Sequence, residues 1–255
     1  MSFSQVHLAA PKAGQKQRIG RGAWEQATNA QQRRLVAAFD KWAPKVRRRL
    51  SEMTQRGESV IRQVAHLDER LKELEATLVK LGQKGAAIAT KVAAGADPSS
   101  GVLAVQQQLA TDSETAVTDS LIPHIREAMI RELERGVAAE PKDLKTAFDG
   151  QRASMAQFAG GLWFGIMAIT RAVGKERETD RAAAGEEPER VRWVLDPLAE
   201  HCAASPGFFG CPDLEGIYEN WDALPTIPGG QTTCRGNDRC HLEVEIDGRW
   251  ERGLA

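Results

Sequence analysis

The sequence predicts a mainly α-helical protein: a long heptad-bearing helix and a helical bundle, then a small, loop-rich α+β module with four cysteines and a terminal β-hairpin. Three observations predict it. Apolar residues recur in alternating steps of four and three from Val46 to Leu81, a spacing that keeps one helix face apolar over several heptads. Segments at about 102–135 and 141–180 carry helical periodicity between breaks rich in Gly and Pro. Beyond Pro188 that texture ends, and Pro, Gly, Asn, Asp and aromatic residues dominate. On this reading residues 1–23 are a basic flexible arm, 24–187 an elongated helical domain and 188–255 a cysteine-rich module. The 255 residues suffice for one large domain or two small ones, and 42% hydrophobic content allows a sizeable core.

The arm is polar, rich in Gly and basic residues, and aperiodic. A helix is expected to start near Thr28 or Asn29, either of which can cap it. Pro44 then begins a new helix or kinks a continuous one. The long helix, about 44–94, carries the seam Val60, Val64, Leu67, Leu71, Leu74, Leu78 and Leu81. As one helix it would be roughly 70 Å long. The seam fits an intersubunit coiled coil or an antiparallel hairpin folded on itself, and both stay open. The segment GADPSSG (Gly95–Gly101) breaks the helix, with Ser99 or Ser100 as the next cap. A helix from about Val102 to Leu109 and another from about Ser113 to Arg135, bent or restarted at Pro123, follow. Between Arg152 and Arg171 lie eighteen residues without a charge, including the GxxxG pair Gly161 and Gly165. That length meets the lower limit for a membrane span, but Ser154, Gln157 and several glycines favour a buried bundle helix.

Charge is unevenly placed. Residues 1–56 hold twelve Lys/Arg against three Asp/Glu, a local charge of +9. Residues 186–255 hold six against fourteen, a local charge of −8. Lys12, Lys16, Arg18, Arg21, Arg47, Arg48 and Arg49 are therefore candidate contacts for DNA or an acidic protein surface, with a solvated helix face as the plain alternative. Residues 1–23 have no apolar stretch of the signal-peptide kind, so synthesis in a reducing cytoplasm is expected.

All four cysteines, Cys202, Cys211, Cys234 and Cys240, lie in the last quarter of the chain, with His201 and His241 beside the first and last. Four thiolates can close a structural Zn²⁺ site and stabilise a module too small for its own core, and either histidine can replace a cysteine. Reduced thiols and disulfides remain alternatives. No H-E-x-x-H pair exists for a catalytic zinc. The closing run HLEVEIDGRWERG alternates as a half-buried strand and turns at Asp247-Gly248 into a second one.

The ordered series Trp193, Asp196-Pro197, Glu200-His201-Cys202, Cys211, Gly216, Tyr218, Trp221-Asp222, Leu224-Pro225, Pro228-Gly229, Thr233-Cys234, Asn237, Arg239-Cys240 and Leu242 resembles the C-terminal module of tailed-phage head morphogenesis proteins. These are the minor capsid proteins similar to protein F of phage Mu. The resemblance covers about fifty residues. It departs from the family pattern in the inserted ASPGFFG between the first two cysteines and in Asp238, where the family usually has cysteine. It implies a low-copy, non-enzymatic virion protein at the portal vertex, the head–tail junction or the capsid interior, supporting head assembly, genome packaging or ejection. Its expected partners are portal, capsid or connector proteins, further copies of itself, and packaged DNA through the basic arm, and no membrane. A zinc-stapled coiled-coil nucleic-acid-binding protein is the runner-up. A thiol-dependent hydrolase or toxin using Cys202 or Cys240 ranks last, because adjacent Cys and His side chains diverge in a strand and no orienting Asn/Asp is identifiable.

Overall fold

The computed structural model describes residues 21–135, 141–158, 161–195, 203–228, 230–233 and 240–252. It is mainly helical, with a small antiparallel sheet near the C-terminus, as the sequence predicts. The long helix of about 44–94 is not one helix. It breaks into α1 (Arg21–Gln55) and α2 (Val60–Ala94), two antiparallel 35-residue helices, each about 50 Å long. The break lies at Gly57, whose φ of 69° places it in the left-handed region that glycine tolerates best. Glu58 N donates to Met53 O and Gly57 N to Thr54 O, a closure that satisfies the last carbonyls of α1. Trp42 Nε1 donates to Arg70 O at 2.8 Å and Gln31 Nε2 to Leu81 O at 2.7 Å, fixing the hairpin register.

The heptad seam therefore packs within the chain. Leu67, Leu71, Leu74 and Leu78 are buried in one core with Phe39, Val46 and Leu50 of α1. Val64 and Leu81 are partly buried, and Val60 is 38% exposed, outside the seam. The expected helix start at Thr28 is also displaced. Trp24 is buried in a second core, which pulls the first turns of α1 into order, and Thr28 Oγ1 donates back to Trp24 O. Pro44 sits exposed inside α1 without ending it.

The next rod combines α3 (Ser100–Ala116), a π-helical turn (Val117–Leu121) and α4 (Ile122–Glu134). Ser99 caps it, its hydroxyl accepting from Val102 N. No break separates the two helices expected there. The wide turn lies just before Pro123, whose missing N–H and ring force the ladder to adjust. Arg126 pairs with Asp68 across to α2. The expected helix of 141–180 is two helices, α5 (Pro141–Phe158) and α6 (Gly161–Ala183). The uncharged run is thus divided between them, and Leu162, Trp163, Ile166, Met167 and Ile169 are buried inside the protein. No helix among the described residues is long and apolar enough to cross a membrane.

The sheet has the order β2-β1-β3-β4, from β1 (Val191–Val194), β2 (Gly216–Tyr218), β3 (His241–Ile246) and β4 (Arg249–Arg252), with a short helix α7 (Cys211–Leu214) before β2. The hairpin β3–β4 turns at Asp247 and Gly248, both at positive φ, where the sequence places it. β3 is more enclosed than the expected half-buried strand: His241, Leu242, Glu243 and Val244 are all buried.

Candidate functional site

The C-terminal module is seated on the helical body through one shared core. Trp24 of α1, Ala89 and Ala93 of α2, Trp163, Ile166 and Ile169 of α6 pack in the same cluster as Trp193, Cys211, Trp221, Leu224, Cys240, Leu242 and Val244. Trp163 meets Trp24 edge to face at 5.9 Å and donates its Nε1 proton to Cys240 O at 3.0 Å. Arg171 donates to the Leu224 carbonyl at 3.0 Å. Gly174 leaves the space that the Trp221 indole occupies: a Cβ there would lie 2.1 Å from Trp221 Cε2. Lys175 pairs with Asp222 and holds its carboxyl below the usual carboxylate range, by hydrogen bond first and charge second. Arg177 pairs with buried Glu189 where the chain enters β1.

Half of the cysteine set lies among the described residues. Cys211 opens α7 and Cys240 immediately precedes β3, and both are buried in the shared core. Cys202, Cys234 and His201 lie outside the described residues. His241 is buried, with Nε2 at 3.1 Å from Glu243 Oε1. Two thiols in a common core suit one closed tetrahedral site only if the remaining ligands join them. No group of three or more metal-binding side chains occurs among the described residues.

The outer face of the sheet carries charge that sequence reading missed. Antiparallel register sets Arg192 opposite Glu243 and also opposite Ile217. Arg192 Nε donates to Glu243 Oε2 at 2.7 Å, and its guanidinium lies 4.7 Å from the centre of the Trp250 ring. Arg190 pairs with Glu245 on the same face. Burial of Glu243 is tolerable because both Arg192 and His241 meet its carboxylate. β1, β2 and the short helix α7 were all missed, since three or four residues give too short a pattern.

The predicted basic contacts divide. Lys12, Lys16 and Arg18 lie outside the described residues, and Arg21 is the first residue of α1. Arg48 and Arg49 both lie near Glu52, at 4.0 and 3.4 Å, in exposed contacts. Arg47 makes no ion pair with a described residue and borders an indentation of about 220 Å³ beside the Asp40–Arg152 pair. Four further cations that the sequence reading did not name, Arg33, Arg34, Lys41 and Lys45, are also exposed on α1. Steps of seven and four place Arg34, Lys41 and Lys45 on one helix face, a signal legible in the sequence. Asp40, the anion among them, is engaged by Arg152 at 2.8 Å.

Comparison with known proteins finds no matching family model, no matching curated protein and no matching solved structure.

Proposed function

We propose that this chain is a non-enzymatic structural protein of a tailed-phage head, a minor capsid or head-morphogenesis component at the portal vertex or head–tail junction. The observation that carries the reading is what the residues of the family-like series do here. Trp193, Cys211, Trp221, Leu224, Cys240 and Leu242 are buried together against α6 and α2. An ordered series spent on seating a module suits a scaffold component, whose work is to hold surfaces at fixed positions. Partners on this reading are portal, capsid or connector proteins and further copies of the chain, and its place is the virion. The test is mass spectrometry of purified, DNA-filled particles, with the chain expected at low, constant copy number. Its absence from mature particles would refute the proposal.

The zinc reading belongs with it. Cys211 and Cys240, joined by Cys202 and Cys234, or by His201 or His241 in place of one of them, would hold one structural Zn²⁺ that ties the loops of the module to β3. Metal analysis of the reduced, folded chain is expected to give one zinc per chain, and a clearly substoichiometric content rejects the site. A second reading, nucleic-acid binding, is favoured by one observation: Arg33, Arg34, Lys41, Lys45 and Arg47 have no ion-pair partner among the described residues. It predicts sequence-independent DNA affinity that falls steeply with salt.

A further inference from the structure

The charge separation of the sequence becomes two discrete patches in the fold. The first is the outer face of α1. Arg33, Arg34, Lys41 and Lys45 are exposed, Arg47 is half-buried, and Asp40 between them is neutralised by Arg152. Exposed Ala37 and Pro44 lie between these cations and leave room for another surface to come close. The second patch lies at the β2 edge of the sheet, where no further strand pairs among the described residues. β2 is an edge strand, bonded to β1 on one side. Asp213, Glu215 and Glu219 beside it are exposed. Ile217, between the two glutamates, is 57% exposed. The nearest cation in register, Arg192, is already committed to Glu243. Glu215 and Glu219 flank the three-residue strand, two positions on either side of Ile217, so one apolar residue sits between two carboxylates along the chain.

We propose that the basic face of α1 docks on the acidic β2 edge of a second copy of this chain. The dimensions agree: Arg34 to Lys45 spans roughly 17 Å along the helix, and Glu215 to Glu219 about 13 Å along the strand. The charge pattern favours a second copy over a nucleic acid. The chain has a net charge of only −1, so a polyanion feels little long-range attraction, whereas separated patches of opposite sign steer copies together. The contact joins unlike surfaces, so each copy keeps one patch of each sign for the next, and repetition gives a ring or a chain. The inference rests on these surfaces and not on residence in a virion.

The test is light scattering and analytical ultracentrifugation of the full chain at low and high salt. Association is expected at low salt and weakens at least about tenfold in dissociation constant on moving to half-molar salt. The variant Arg34→Glu/Lys41→Glu/Lys45→Glu and the variant Asp213→Lys/Glu215→Lys/Glu219→Lys are each expected to lose at least about tenfold in affinity while keeping wild-type helicity. Combining all six substitutions in one chain restores opposite signs and is expected to restore association, which a merely misfolded surface cannot do. A wild-type chain that stays monomeric at low salt overturns the proposal, as does a combined variant without recovery. Two further results overturn it: loss of association on Lys12→Glu/Lys16→Glu/Arg18→Glu with the α1 variant unaffected, which moves the contact to the arm, or association that requires added double-stranded DNA.

Discussion

Replacing Gly174 by alanine separates local helix preference from tertiary packing, because the two act in opposite directions. Gly174 lies inside α6, where alanine is normally better by about 1 kcal/mol. Here the added Cβ would stand 2.1 Å from Trp221 Cε2 and 2.4 Å from Cζ2. Carbon atoms pack at about 3.5–4.0 Å, so the indole must retreat by roughly 1.4 Å. Trp221 has no exposed surface to retreat into, and its backbone is tied to α6 through Arg171. Overpacking of this kind costs about 1–3 kcal/mol, and more if the module lifts and Trp221 loses burial. The expected net loss is about 2 kcal/mol, read as a lower urea midpoint. Gly150→Ala in α5 is the control: nothing lies within 4 Å of its Cβ position, so a gain of about 0.5–1 kcal/mol is expected. Trp221→Phe in the Gly174→Ala background should recover part of the loss, since the clashing ring is smaller. A Gly174→Ala protein as stable as wild type would refute the seating of the module on α6.

Three other outcomes follow from the bundle. Gly57→Ala meets no atom within 4 Å but must hold a φ of 69°, so thermal unfolding should register a loss of about 1–2 kcal/mol, and Gly57→Asn a smaller one. Leu71→Ser/Leu74→Ser removes two side chains that are 2% and 1% exposed. At about 2–5 kcal/mol each the pair exhausts a typical stability margin, so circular dichroism should show loss of the fold and not just of assembly. His66 has its pKa lowered, first by burial and then by Arg70 and Arg49. The unfolded chain therefore binds the proton more readily, and its stabilising contribution is complete above the ordinary histidine value near 6.5 and lost as pH falls below it. His66→Gln should flatten that part of the stability–pH curve, and an unchanged curve would exclude His66 as its source.

The sequence made the helices legible because periodicity reports which face is buried. Leu67, Leu71, Leu74 and Leu78 are buried as the heptad pattern requires. What it could not report is the partner of that face. A seam facing a second chain and a seam facing α1 have the same spacing, and only the conformation of Gly57 decides between them. The terminal hairpin was equally legible, since Asp247-Gly248 is a turn signal with a local cause. The central strand β1 and the contact of Gly174 with Trp221 depend on residues far apart in sequence, and no local pattern encodes them. For the cysteines, the sequence places all four in one module, and the fold buries Cys211 and Cys240 in one core. For the cations, the neighbouring Glu52 of Arg48 and Arg49 is local and readable at helical spacing.

The shared core also bears on whether the two charged patches can satisfy one another within a single molecule. A module joined by a flexible linker could swing its acidic edge onto the basic face of α1. This one cannot do so cheaply. β2 is bonded to β1, and β1 buries Val191 and Trp193 in the same cluster as α6 and α2. Trp163 and Arg171 add hydrogen bonds to the module from the α6 side. Swinging the edge would expose Trp193, Trp221 and Leu242 together, at about 1.5–3 kcal/mol or more for each large side chain. Exposed ion pairs return about 0–1 kcal/mol each, so folding back onto α1 loses. The rigidity that keeps the chain from neutralising itself leaves both patches available to the copy-to-copy contact proposed above.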